Sequence, residues 1–192
     1  MNIDELTQFN LSFPGHWIEG DDRNWASESY LTLSHIKGLY EEAVVAYSQF
    51  DPITAENYKD KINEPIYSRC LNSIYAKAFV FALDGINKLL LKLCRHLHPP
   101  EQIKTLKTEY ENRFGHLKHI RDSAIHIEDR GRGKTRREEQ LNTNIIILGS
   151  FIEIRFSFTG EDGRQYEIEI SDTTLLSAKQ VIQKVINSYT WS

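Results

Sequence analysis

The chain has 192 residues, 40% hydrophobic and 26% charged, with a formal net charge of −4. That is the balance of a soluble globular protein large enough to bury a real core. It excludes a uniformly basic nucleic-acid coat but leaves room for a local basic patch.

The first residues, "MNIDELTQFN", carry no basic region and no apolar run, so no secretory signal is read, and the expected location is the cytoplasm. Residues 1–24 form an irregular arm punctuated by Pro14, Gly15 and Gly20, with Trp17 and Trp25 expected to pin it down. From about Trp25 to Phe50 a helical stripe runs through Leu33, Ile36, Tyr40, Val44 and Tyr47, and Asp51-Pro52 ends it. A short helical piece is expected after Thr54, and Pro65 suits a first helical turn. Ile66, Cys70, Ile74, Ala78, Ala82, Ile86, Leu89 and Leu93 then predict a helix of roughly 30 residues and about 45 Å, wetted by Lys77, Asp84, Lys88 and Lys92. Cys70 and Cys94, both in apolar-periodic sequence, are expected to be reduced, buried thiols.

Pro99 and Pro100 break that helix and open a third, expected over about 101–127 on a stripe of Leu106, Tyr110, Leu117, Ile120, Ala124 and Ile127. "DRGRGKTRREEQ" reads as a loop. The period then changes to two in "SFIEIRFSFTG" and "RQYEIEIS", a β-hairpin joined by "EDG", with "NIIIL" as a candidate third strand. Asp172 is expected to cap a last helix built on Leu175, Ala178, Ile182, Val185 and Ile186. No apolar run is long enough to span a membrane. The expected fold is mainly α (α+β): a single domain over 1–192, with a helical bundle at 25–128, a hairpin at 144–171 and a final helix at 172–190.

The chemistry concentrates in "KHIRDSAIHIEDR", residues 118–130. On an ideal helix His119, Asp122 and His126 fall within about 60° of one another, while Arg121 is about 140° from His126. Three readings stand open. The stretch can be a solvated helix face. His119, Asp122 and His126, with His116 one turn away, can be metal ligands. Or Arg121 and His126 can be a phosphoryl-transfer couple. The imidazole would move a proton to or from a ribose 2′-hydroxyl. The guanidinium would hold phosphate, with Asp122 orienting one of the two.

"RDSAIH", Arg121 to His126, resembles the R-x4-6-H motif of HEPN domains (higher eukaryotes and prokaryotes nucleotide-binding), which often place a polar residue after the arginine, as Asp122 is here. The resemblance implies an antiparallel bundle of three long helices and a metal-independent endoribonuclease of toxin or phage-defence character that needs no cofactor. It implies His126 as general acid/base, Arg121 as transition-state ligand, RNA as substrate, a homodimer that gathers two motifs, and an antitoxin-like protein partner. A non-catalytic HEPN-like module that binds RNA, a nucleotide or a partner is the alternative.

Arg130, Arg132, Lys134, Arg136 and Arg137 could track a phosphate backbone beside the motif. "GRGKT" is not a P-loop, because Glu128 stands where its first glycine is needed. His96 and His98 are expected to act as helix caps; Tyr40, Tyr47, Phe79 and Phe81 as core; and Ser123 lacks the glycine-rich elbow of a serine hydrolase.

Overall fold

The computed structural model describes residues 9–20, 23–51, 66–135, 137, 139–143 and 145–192, with 66–69 as backbone only. The expected helical piece after Thr54 and the role of Pro65 lie outside the described residues. The chain is mainly helical. α1 (Arg23–Gln49), α2 (Ile66–Leu93), α3 (Ile103–Phe114), α4 (Leu117–Ile125) and α5 (Ile127–Gly131) precede β1 (Leu148–Ile152), β2 (Arg155–Thr159), β3 (Gln165–Glu169) and α6 (Asp172–Asn187). No helix among the described residues is long and apolar enough to cross a membrane.

The chain folds into two compact units, each assembled from separated segments. One takes Met1–Val45, Ala82–Gly115 and Thr173–Ser192; the other takes Ala46–Phe81 and His116–Asp172.

In the first unit the apolar stripes lie where the periodicity puts them. Leu33, Ile36 and Tyr40 of α1, Leu83, Ile86 and Leu90 of α2, and Leu175, Ile182 and Val185 of α6 are buried. Removing each such side chain from water stabilises the fold by about 1.5–3 kcal/mol. Ile103, Leu106, Tyr110 and Phe114 give α3 its buried face, and the Tyr110 hydroxyl donates to the Leu83 carbonyl at 3.0 Å. Enclosure raises that phenol's pKa well above the ordinary value, with Asp84 adding to the effect. The N-terminal arm is tied down by an Ile18–Trp191 bridge, and Trp17 packs on Tyr30 with ring centroids 5.1 Å apart.

Several expectations are corrected. The first half of α2 buries Asn72, Ala76, Phe79 and Val80, not Cys70, Ile74 and Ala78, which are exposed. Asn72 is held inside because its amide bonds the Asp51 backbone at 2.7 and 3.1 Å. Cys70 is thus an exposed thiol and Cys94 a partly exposed one, its pKa raised by burial against nearby lysines. Asp84 is buried rather than wetted, and pairs with Lys88 at 3.2 Å. Phe81 is exposed while Phe79 is core.

The third long helix is not continuous. It breaks at Gly115-His116 and again at His126, giving α3, α4 and α5. At Gly115 the Glu111 carbonyl comes so close that a Cβ would sit 2.6 Å from it, and the Gly115 amide bonds that carbonyl at 2.7 Å. Part of the expected loop is also ordered: α5 occupies its start, and Lys134 bridges to Gln140.

The hairpin is a three-stranded antiparallel sheet in the order β1-β2-β3. "SFIEIRFSFTG" is two strands, not one. The chain reverses at Glu153-Ile154, with Ile152 paired to Arg155 and Glu153 at φ 55°. "NIIIL" contributes only Leu148 to β1. Gly149 adopts φ 74° and bulges β1; a Cβ there would meet the Phe158 ring at 2.9 Å. Phe156 pairs with Ile168 and Phe158 with Tyr166, and this face of the sheet packs against α4.

Candidate functional site

α4 buries Leu117, Ile120 and Ser123. The Ser123 hydroxyl donates to the Thr159 carbonyl at 2.8 Å, fixing the helix at the end of β2. That anchor, three residues before His126, sets which side chains of the motif turn outward.

Arg121 is held from the side by its neighbour. Its Nε donates to Asp122 Oδ1 at 2.9 Å and its Nη2 donates to the same oxygen. The Arg121 side chain is 15% exposed and that of Asp122 36%. Asp122 therefore orients the arginine, one of the two roles its position allows.

His126 ends α4 and precedes α5, with φ −105° and ψ 43°, outside the helical range. Its amide still bonds the Asp122 carbonyl at 3.1 Å, and its own carbonyl accepts from Arg130 N at 3.1 Å. The imidazole is 30% exposed, with Nδ1 4.0 Å from Asp129 Oδ2. His126 thus stands at the C-cap of the helix that carries Arg121, where the backbone leaves helical geometry.

The ligand set His119, Asp122 and His126 is not gathered. Among the described residues, the group of acidic and imidazole donors lying within 4.8 Å of one another is His126, Glu128 and Asp129. His119 is engaged elsewhere. Its ring stacks on Tyr166, 4.3 Å between centroids and 8° from parallel. The Tyr166 hydroxyl donates to Asp162 Oδ2 at 2.6 Å, and the Arg164 amide donates to Oδ1 at 3.1 Å. Burial would raise the Asp162 pKa, but these two bonds, with His119 and the Arg164 charge, outweigh it and hold the carboxyl below its usual range. The bond to Asp162 raises the Tyr166 pKa. Beside the stack lies an open cleft of about 350 Å³, lined by Lys118, His119, Asp122, Glu161 and Asp162. His116, at the start of α4, has its pKa lowered by burial and by His119, against the opposing pull of a bond with the Glu167 backbone.

The basic loop divides. Arg130 is fully buried, so it is not a side chain that tracks a phosphate backbone from the surface. Its Nη1 donates to the Lys134 carbonyl at 2.7 Å, closing the turn that follows α5, while Nε and Nη2 have no hydrogen-bond partner among the described residues. Arg132 and Arg137 are exposed and Lys134 half-buried; Arg136 lies outside the described residues. Thr135 Oγ1 accepts from the amides of Arg137 and Glu139 at 3.2 and 3.1 Å, shaping the loop tip.

In the other unit, His96 is more than a helix cap. Its Nδ1 lies 2.9 Å from Ser29 Oγ and its Nε2 3.6 Å from Glu28 Oε1. The serine–histidine–carboxylate order suggests a nucleophile, but Ser29 is 1% exposed and a substrate cannot reach it. Burial lowers the His96 pKa, Glu28 partly opposing. The Ser29–His96 pair is a buried polar clamp, with Glu28 at its exposed edge.

The His119–Tyr166–Asp162 arrangement was not legible in the sequence as a site. The one available signal is that strand alternation puts Tyr166 on the same face as Ile168, toward α4. No family model, no curated protein and no solved structure matches this chain.

Proposed function

We propose that the protein is a metal-independent endoribonuclease of HEPN type, with Arg121 and His126 as its working pair and RNA as its substrate. The observation that carries this reading is the interruption at His126. It leaves a partly exposed imidazole at a helix junction, five residues from a guanidinium already oriented by a carboxylate. An imidazole can take the proton from a ribose 2′-hydroxyl or give one to the leaving oxygen. The 2′-oxygen attacks phosphorus, the bond to the 5′-oxygen breaks, and that oxygen leaves protonated. The products are a 2′,3′-cyclic phosphate and a 5′-hydroxyl end. Arg121 would stabilise the charge that builds on the phosphoryl oxygens. Arg132, Lys134, Arg136 and Arg137 would supply backbone attraction. The antiparallel HEPN bundle, a cytoplasmic setting, a toxin or phage-defence role, an antitoxin-like partner and a homodimer that joins two motifs belong to the same reading.

The test is incubation of the purified protein with single-stranded RNA in excess chelator. Cleavage leaving cyclic phosphate, with DNA of the same sequence intact, is the expected result. Activity that chelator abolishes and that survives Arg121→Ala overturns it.

A second reading, a binding module without catalysis, is favoured by one observation. Arg121 is largely shielded and in contact with Asp122, as a structural ion pair would be. It predicts RNA or partner binding with no cleavage of any RNA.

A further inference from the structure

We propose that the free edge of β1 is the surface on which a second copy of this chain docks, strand against strand, so that two three-stranded sheets join into one continuous sheet. The surface is read from the sheet alone, and it gives the homodimer of the reading above a place to form.

The two edges of the sheet differ. β3 closes one side, with Gln165, Glu167 and Glu169 exposed along it. Charged side chains on an edge strand keep other strands off, and two copies of this edge would repel each other. β1 closes the other side. Among the described residues it pairs only with β2, so its outer N–H and C=O groups stand open. Residues 140–152 carry no charged side chain. Ile145, Ile146, Leu148 and Ile152 are exposed instead, Ile145 at 62% and Ile152 at 67%. The bulge at Gly149 bends the strand without adding charge. An uncharged aliphatic edge with open backbone groups is a template for another strand.

A second copy is the partner this edge fits. Antiparallel pairing about a two-fold axis sets β1 against itself, and each residue then meets one from the same neutral run. A charge in that run would face its own sign across the axis; none is there. Pairing β1 with β3 of another copy would set its aliphatic side chains beside Glu167 and Glu169. It would also leave an open edge at each end, which builds a filament and not a closed dimer. The β1–β1 axis stands perpendicular to the sheet, so both copies keep the same sheet face on the same side. On that face Leu148, paired with Phe158, lies against Gly131 of α5, and α4 also touches β1. Ile125 and Ile127, at the junction of the two helices, are exposed. The second copy therefore brings its own α4–α5 junction, with His126, alongside the first.

The experiment is sedimentation of the full chain across micromolar concentrations, with hydrogen exchange on the same samples. The unaltered protein should reach twice the mass of one chain and stop there. Amide exchange over residues 145–152 should slow as concentration rises, while exchange in β3 stays constant. Ile145→Lys with Ile152→Lys, at two exposed positions, should hold the protein at the mass of one chain with the same far-ultraviolet circular dichroism, because the axis would gather lysines from both copies. Glu167→Lys, on the other edge, should leave the dimer intact. A monomer at every concentration, growth past two copies, a dimer indifferent to the two lysines or lost to Glu167→Lys, or exchange that slows in β3 instead overturns the surface. So does a monomer that binds a synthetic valine–threonine strand peptide, which would make another protein the occupant. A β1 dimer that cleaves no RNA supports the surface and overturns the ribonuclease. A monomer that cleaves RNA overturns the surface and leaves the ribonuclease standing.

Discussion

Ser123 and Thr159 are joined by a buried 2.8 Å hydrogen bond across 36 residues of chain, from the middle of the motif to the end of β2. This one bond fixes the rotation of α4 against the sheet. Ser123→Ala should cost about 1–2 kcal/mol in urea unfolding, because it orphans a buried carbonyl. A loss under about 0.3 kcal/mol would mean that apolar packing alone sets the helix.

The working pair is tested by rates. His126→Ala should lower RNA cleavage by about 10²–10⁴-fold, the size of a general acid–base contribution. Arg121→Ala should lose a comparable factor, and Arg121→Lys should not restore it, since an ammonium cannot hold phosphate through two parallel bonds. Single-turnover rates in chelator read all three; a full-rate His126→Ala enzyme would refute the assignment.

Acid should weaken the fold through two partly buried histidines. His96 and His116 have pKa values lowered from the ordinary 6.5, burial being the larger cause in each. The unfolded chain therefore binds protons near pH 6.5 that the folded chain refuses. Their contribution is complete above that pH and is lost as pH falls through it toward the folded values. Urea midpoints at pH 7.5 and 5.5 should differ in that direction, and His96→Gln should reduce the difference. A midpoint that is flat or rises on acidification would contradict it.

How much of this was legible in the sequence depends on the residue. The stripes of α1 and α6 were, because one apolar face repeats without competition. The first half of α2 was not: Cys70, Ile74 and Ala78 share one spacing and Asn72, Ala76 and Val80 another, and the more apolar set lost. Asn72 wins its buried place through bonds to Asp51, a partner 21 residues away. The turn at Glu153-Ile154 has none of the usual turn residues, so alternation ran straight through it. Arg121, Asp122 and His126 stood out because they are close in sequence. The Tyr166 and Asp162 half of the cleft did not, because only the fold brings it to His119.

Buried Arg130 and exposed Arg132 should behave oppositely. Arg130→Ala should destabilise by about 2–4 kcal/mol through lost packing and the opened turn. Arg132→Ala should stay within about 0.5 kcal/mol. Arg130→Met keeps the volume and removes a buried charge whose Nε and Nη2 have no hydrogen-bond partner among the described residues, so it should lie within about 1 kcal/mol of the parent. If Met is as damaging as Ala in thermal unfolding, the bond to the Lys134 carbonyl is what holds the turn. Arg132→Ala combined with Arg137→Ala should flatten the salt dependence of RNA binding.

The interleaving of the two units dictates an order of events during synthesis. The last segment of the helix–sheet unit ends at Asp172, so all of its chain exists before the remaining unit is complete. That remaining unit has its first segment before Val45 yet waits for Leu175, Ala178, Val181, Ile182, Val185 and Ile186 to close its core. Domains usually mature from the N-terminal side first; here the α1 face with Leu33, Ile36 and Tyr40 waits for α6, which follows every other described element. From the synthesis of α1 until α6 emerges, a nascent chain therefore carries this apolar face uncovered, and its yield in a cell should respond to chaperone supply more than its final stability suggests.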